Sequence, residues 1–219
     1  MLQLFKSPFV LFTMILFSAN TFANLEFNKL EEEMKNYPLQ EGVQTYQSLE
    51  LITEVQTRNF TYNDKLKLYK AIKILETVVN SPEFREEIYQ HQYNGKTTFF
   101  ENKGYSNEEI YQIFMSGAEV LNPVNDKVMN FDLTMYRSKN PFSKVKGYTK
   151  PDTNRIWIHS KFYRLESWTP TDVAANMVHE WVHKIGFGHS YYFDSNRPYS
   201  VPYAIGGIVS KVAKKLNLE

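Results

Sequence analysis

The sequence of 219 residues carries 25 Lys and Arg against 24 Asp and Glu, with 42% hydrophobic and 22% charged residues. This composition is typical of one globular domain with a substantial core and excludes a disordered chain. The absence of cysteine excludes disulfides, thiolate metal ligands and a cysteine nucleophile. The nearly neutral net charge gives no electrostatic reason to expect nucleic acid or an anionic membrane as a partner.

Residues 1–23 have the pattern of a secretory signal peptide. Lys6 supplies positive charge, an apolar run of nine follows at 9–17, and Thr21-Phe22-Ala23 offers small residues at the cleavage positions. The run is too short to span a bilayer comfortably, although an uncleaved anchor is the alternative interpretation. We expect a secreted or periplasmic bacterial protein, with no stable membrane insertion after cleavage.

Residues 24–95 are predicted to form a helical region. Candidate helices cover 25–37, 43–58 (weakly), 62–80 and 82–90. The third is the clearest, because its apolar residues fall on one helical face: Leu66, Tyr69, Ile72, Leu75 and Val79. The region contains no catalytic motif. We interpret it as packing for the main domain, with a substrate-binding appendage or a removable pro-segment as alternatives. His91 is isolated and expected at the surface.

The next part of the chain changes from helix to strands. A capping box at Ser106–Glu109 predicts a helix that runs to Leu121 and stops at Asn122-Pro123. Alternation then predicts strands at 128–137, 144–149 and 155–159, the last two forming a hairpin. His159 lies on the third strand and is expected to be a hydrogen-bonded or surface histidine, not a ligand.

A helix is predicted over 170–185. Thr169 is its expected N-cap, Pro170 fits the first turn and Asp172 is the capping-box acid. A final amphipathic helix is predicted over 202–218.

The helix over 170–185 carries the residues with metal-ligand spacing. His179 and His183 are four apart, so both imidazoles lie on one helical face and can reach one metal. Glu180 is placed to take a proton from a metal-bound water. Gly186 can end the helix in a left-handed conformation, which lets His189 approach the same metal. Three protein ligands and a water are typical of a catalytic zinc site.

Residues 179–189 resemble the zinc signature of the metzincin metallopeptidases, His-Glu-x-x-His-x-x-Gly-x-x-His. Every fixed position is met, by His179, Glu180, His183, Gly186 and His189. The resemblance implies Zn2+ at the three histidines and a general base at Glu180. It also implies a zincin-like α+β domain, assigned to 96–219, with a small mixed or antiparallel sheet, a backing helix, the zinc-binding helix and a C-terminal helix.

The sequence departs from the family after the third histidine. Metzincins carry a methionine in a turn beneath the metal, whereas this chain has no Met after Met177 and has Ser200-Val201-Pro202-Tyr203-Ala204 instead. Tyr203 is a candidate catalytic residue whose phenol donates to an oxyanion or ligates the metal; alternatively, it packs under the site. Arg197 is either a clamp for a substrate carboxylate or a solvated loop residue.

These features predict an exported zinc-dependent metallopeptidase that acts on a peptide or protein substrate. One alternative is a zinc-stabilised, non-catalytic binding protein on a degenerate peptidase fold. Another is a hydrolase of a different amide, such as a peptidoglycan cross-link. The sequence indicates neither the cleavage preference nor the oligomeric state.

Overall fold

A four-stranded mixed sheet forms the base of the fold in the computed structural model, which describes residues 50–190 and 194–218. Its strands lie in the order β1-β4-β6-β5, with β1, β4 and β6 parallel and β5 antiparallel at one edge. Two short strands, β2 and β3, form a separate hairpin. The six strands are β1 (Ile52–Arg58), β2 (Gln92–Tyr93), β3 (Lys96–Thr97), β4 (Val128–Tyr136), β5 (Gly147–Thr149) and β6 (Arg155–His159).

The central strand β4 shows why the sheet buries one face. Met129, Phe131, Leu133 and Met135 are buried, and the residues between them are partly exposed. Because side chains alternate along a strand, all four apolar residues point to the same side. Leu133 lies opposite Thr57 of β1 and Ile156 of β6, so the core continues across the sheet. The strand predicted over 128–137 is confirmed.

Helices cover the apolar face of the sheet. The described residues contain α1 (Tyr62–Val79), α2 (Pro82–Tyr89), α3 (Asn107–Ser116), α4 (Ser160–Tyr163), α5 (Pro170–Lys184), α6 (Val201–Lys215) and a 3-10 turn (Arg197–Tyr199). Helix α5 packs against both α1 and α6. Its N-terminus has the predicted capping box, in which Thr169 and Asp172 bond each other's backbone N–H groups.

No helix among the described residues combines the length and the apolar character needed to cross a membrane. The predicted signal peptide at 1–23 and the predicted helix at 25–37 lie outside the described residues.

The weak helix predicted over 43–58 is wrong for Ile52–Arg58, which form strand β1. This segment alternates between exposed and half-buried residues, and it contains the β-branched Ile52, Thr53, Val55 and Thr57. It pairs in parallel with β4, placing Val55 opposite Phe131. Part of the predicted helical region therefore belongs to the same sheet as the strands that follow it. Residues 43–49 are outside the described part of the chain.

Two other predicted boundaries are corrected. Helix α3 ends at Ser116, not at Leu121, because Gly117 adopts a left-handed conformation with φ of 75°. The strand predicted over 144–149 is shorter and covers only Gly147–Thr149. Its antiparallel pairing with β6 confirms the predicted hairpin.

Helices α5 and α6 cross closely at Gly206. A Cβ atom at this position would lie 3.0 Å from the Ala175 carbonyl oxygen and 3.6 Å from the His179 Cβ. The next residue, Gly207, is exposed, and a Cβ atom there would have no heavy atom within 4 Å. The absence of a side chain at 206 therefore sets how near α6 comes to the helix that carries the histidines.

We expect Gly206→Ala to lower the free energy of unfolding by about 1–3 kcal/mol, because the methyl group pushes on a backbone carbonyl. The neighbouring Gly207→Ala change should leave stability unchanged or raise it by up to about 1 kcal/mol, since alanine is the better helix former. Urea unfolding of both variants measures the difference. Equal effects would contradict a packing constraint at Gly206.

Candidate metal centre and active site

Three histidines converge at the C-terminal end of α5. The candidate ligand nitrogens of His179, His183 and His189 all lie within 4.8 Å of one another, and all three residues are half-buried. The ring centroids are 5.0 Å apart for the first two and 4.8 Å apart for the last two. This group could hold a metal ion.

The turn after α5 brings the third histidine back to the other two. Gly186 has φ of 101°, a conformation that favours glycine. The Gly186 N–H donates to the His183 carbonyl (3.1 Å), and the Phe187 N–H donates to the Val182 carbonyl (3.2 Å). These bonds end the helix and reverse the chain direction before His189. The structure thus has the left-handed turn at Gly186 that the sequence predicts.

Each imidazole is oriented by a backbone carbonyl. Nδ1 of His183 lies 2.8 Å from the Phe187 oxygen, and Nδ1 of His189 lies 3.0 Å from the Ser190 oxygen. A ring nitrogen of His179 bonds the Pro202 carbonyl. When one ring nitrogen donates to a carbonyl, the other keeps its lone pair for a metal. The donor set therefore fits a metal ion.

The protonation of the triad also suits metal binding. Burial is the main cause that lowers the pKa of each imidazole, to about 4 for His183 and well below the ordinary value for His179. The pKa of His189 is lowered as well, again mainly by burial. All three rings are neutral at pH 7, which is the form that ligates metals.

Glu180 is buried beside the triad, with 4% of its surface exposed. Burial raises the pKa of its carboxyl group from 4.5 to about 8, and a hydrogen bond from the Thr149 backbone N–H opposes this rise. Strand β5 approaches Glu180 closely. A Cβ atom on Gly147 would lie 3.2 Å from Glu180 Oε1 and 2.8 Å from Asn176 Oδ1. The glycine therefore lets the edge strand contact the carboxyl group.

Tyr203 packs directly against the triad. Its ring centroid lies 4.4 Å from that of His179 and 4.8 Å from that of His189. The guanidinium carbon of Arg197 lies 4.8 Å from the centre of the Tyr203 ring. Burial raises the pKa of Tyr203, so the phenol stays protonated at neutral pH and can donate a hydrogen bond.

Arg197 belongs to the neighbourhood of the site. Besides contacting Tyr203, its positive charge contributes to lowering the pKa of all three imidazoles. Arg197 and Tyr203 therefore both lie next to the triad, where a substrate or an oxyanion would meet them.

The two remaining histidines lie outside the triad. His159 is 2% exposed, and its Nδ1 accepts a hydrogen bond from the Lys161 N–H, as expected for a hydrogen-bonded strand histidine. His91 stacks on Phe99 with ring centroids 4.2 Å apart and is half-buried, which corrects the expected surface position.

A buried polar network ties α5 to the sheet and was not predicted from the sequence. Glu119 Oε1 accepts hydrogen bonds from Trp181 Nε1 (2.7 Å) and the Asn130 N–H (3.1 Å). Glu119 Oε2 lies 3.7 Å from Lys184 Nζ, and both side chains are almost fully buried. The network connects α5, through Trp181 and Lys184, with β4, through Asn130. Removing one partner of such a buried pair typically costs about 3–5 kcal/mol.

The sequence did contain one signal for the contact between β5 and Glu180. A glycine inside a predicted strand often marks a close approach of another group, and Gly147 lies in the middle of the predicted segment 144–149. The partners that come close, Asn176 and Glu180, could not be identified without the fold.

Comparison with known sequences assigns no family to the chain. No family model matches it, and no curated protein matches it either.

For the metal-free protein, we expect Glu180→Gln to raise stability increasingly as the pH rises from about 5 to about 8. The folded protein keeps a proton on Glu180 up to a pKa of about 8, whereas the unfolded chain loses it near 4.5. Folding therefore becomes less favourable for the wild type through this interval, and glutamine removes that effect. Urea unfolding with a chelator present measures it. Parallel pH profiles for the two proteins would contradict the raised pKa.

Proposed function

We propose that this protein is a zinc-dependent metallopeptidase with a zincin-like catalytic domain. The observation that carries the proposal is the convergence of three carbonyl-oriented imidazoles beside the buried carboxyl group of Glu180. A purely structural metal site has no use for a buried carboxyl group at this position. The pattern of residues 1–23 supports the further proposal that the chain is exported.

His179, His183 and His189 would hold the zinc. Three neutral nitrogen ligands suit zinc better than the oxygen-preferring cations magnesium and calcium. When bound, zinc acts as a Lewis acid that lowers the pKa of its water towards neutrality.

Glu180 is the proposed general base. In the metal-free protein the raised pKa keeps this carboxyl group protonated at neutral pH, and the positive charge of a bound zinc ion would favour its ionised form. The carboxylate would then take the proton from the attacking water and pass it to the leaving amine. The Thr149 N–H, which bonds this carboxyl group, holds it in one orientation. The Tyr203 phenol is the proposed donor to the oxyanion that forms on the substrate carbonyl, and Arg197 lies against that phenol.

The free edge of β5 is the proposed docking place for the substrate backbone. The His159 N–H donates to the Lys146 carbonyl at 2.8 Å, so residues 146 and 148 point their backbone groups towards β6. The backbone groups of Gly147 and Thr149 then point away from the sheet. The Thr149 N–H already bonds Glu180, so the Gly147 groups and the Thr149 carbonyl are the ones left for a peptide. An extended peptide can pair with this edge as an added strand. A peptide paired with β5 in this way would have one of its peptide bonds beside Glu180.

Metal analysis and a peptidase assay on three proteins test the proposal. Wild type and Glu180→Gln should each bind one equivalent of zinc, and His183→Ala should lose it. Only the wild type should cleave peptides, with Glu180→Gln reduced at least about 100-fold because the general base is gone. A fully active Glu180→Gln protein would refute the role of Glu180. A folded wild type that takes up no zinc would refute the metal site.

Gly147→Ala tests whether β5 positions Glu180. The added methyl group would displace Glu180 or Asn176, and a shift of about 1 Å near the chemistry can cost about 100-fold in rate. We expect unchanged zinc content and a kcat/KM at least about tenfold lower. Gly207→Ala is the matched control, since nothing lies near that position. Equal activity of both variants would show that the contact of β5 with Glu180 does not affect catalysis.

A further inference from the structure

Positive charge is concentrated around strand β5. The segment 137–161 contains seven of the 25 Lys and Arg residues and one acidic residue, Asp152, in a chain whose net charge is only +1. The seven are Arg137, Lys139, Lys144, Lys146, Lys150, Arg155 and Lys161. The edge proposed to dock the substrate is therefore much more basic than the chain as a whole.

Two lysines flank this edge directly. Lys146 and Lys150 are exposed, and each lies two residues from Tyr148. Because side chains alternate along a strand, the three side chains share one face. Gly147 faces Asn176 and Glu180 of α5, and hence Lys146 and Lys150 lie on the opposite face.

Aromatic rings hold these lysines in place. Lys146 Nζ lies 5.8 Å from the centre of the Trp168 ring, and Lys150 Nζ lies 5.5 Å from that of Trp157. Within the described residues, neither lysine has a carboxylate within 4.0 Å. Cation–π contacts orient an ammonium group without neutralising its charge. Both charges thus remain available to a ligand.

Arg197 adds a positive charge at the metal site. It contributes a positive potential at all three imidazoles, and at His189 it outweighs the opposing charge of Glu101. An excess of one sign of charge around a cleft attracts ligands of the opposite sign.

Building on the proposed peptidase function, we propose that the substrate is an acidic peptide. Its acidic side chains would lie opposite Lys146 and Lys150, four residues apart in the substrate, with the residue midway between them opposite Tyr148. Directly opposed residues on paired strands have Cβ atoms about 4.5–5.5 Å apart, and opposite charges at that distance attract. Lys146 and Lys150 are then specificity-determining residues, which act on substrate choice and not on metal binding.

The test begins with the zinc-loaded full-length chain and a synthetic library of randomised peptides, with cleavage positions read by mass spectrometry. We expect Asp and Glu to be enriched at two positions four residues apart. For the best peptide, replacing both acids by Gln should lower kcat/KM about five- to tenfold at low salt, the size expected for exposed ion pairs. The preference should shrink as the salt concentration rises from about 0.05 M to about 0.5 M.

Variants of the enzyme identify the residues responsible. The double change Lys146→Gln and Lys150→Gln should remove the preference, so that the acidic peptide and its Gln version are cleaved with equal kcat/KM, while zinc content stays unchanged. Lys214→Gln, at an exposed position of α6, is the matched control and should keep the preference.

The outcomes separate the two proposals. Cleavage without any preference for acidic peptides, or a preference that survives the double change, would overturn the substrate assignment and leave the peptidase function standing. Failure of the zinc-loaded protein to cleave any peptide would overturn both.

Discussion

The site depends on the left-handed turn at Gly186. This turn ends α5, and its reversal of the chain lets His189 meet the two helical histidines. It also places the Phe187 carbonyl at the distance that orients the His183 ring. A residue with a Cβ atom would be strained at φ of 101°. One glycine therefore ends the helix, orients one imidazole and brings another to the site.

The helix that carries the histidines is fixed on several sides. Gly206 permits the close crossing with α6, and Gly147 permits the contact with β5. The Glu119 network attaches Trp181 and Lys184 to the sheet with hydrogen bonds and opposite charges in a buried environment. Glu119 Oε1 has hydrogen-bond partners from both α5 and β4, whereas the buried Oε2 is balanced only by the charge of Lys184 at 3.7 Å. Together these contacts leave α5 little freedom to shift relative to the edge strand.

The sequence predicted the parts of this arrangement that depend on local spacing. The histidine separation in α5, its capping box and the glycine turn all involve residues within about one or two helical turns of each other. The position of each triad residue could therefore be expected before the fold was known. Tyr203 is a candidate from the sequence because it lies in the segment that stands in place of the methionine turn of the family that the motif resembles.

The features that were not predicted depend on contacts between distant parts of the chain. Local sequence does not identify β1 as a strand, because its partner β4 is more than seventy residues away and parallel pairing leaves no turn signal between the strands. Likewise, nothing near Glu119 in the sequence identifies Lys184 or Trp181 as its partners. The early end of α3 is different, since a local signal for it, Gly117, precedes the Asn122-Pro123 stop that the sequence predicts.

The backbone carbonyls that orient the imidazoles have a consequence for how this sequence can vary. The acceptors belong to the main chain of Phe187, Ser190 and Pro202, and every amino acid carries the same carbonyl group. Substitutions at 187 and 190 can therefore leave the ring orientations intact, as long as the backbone path is kept. In sites where carboxylate side chains orient the ligands, a single replacement removes the acceptor. In this protein the orientation of the imidazoles depends on the path of the main chain. Sequences that differ around the three histidines can therefore retain the same site geometry.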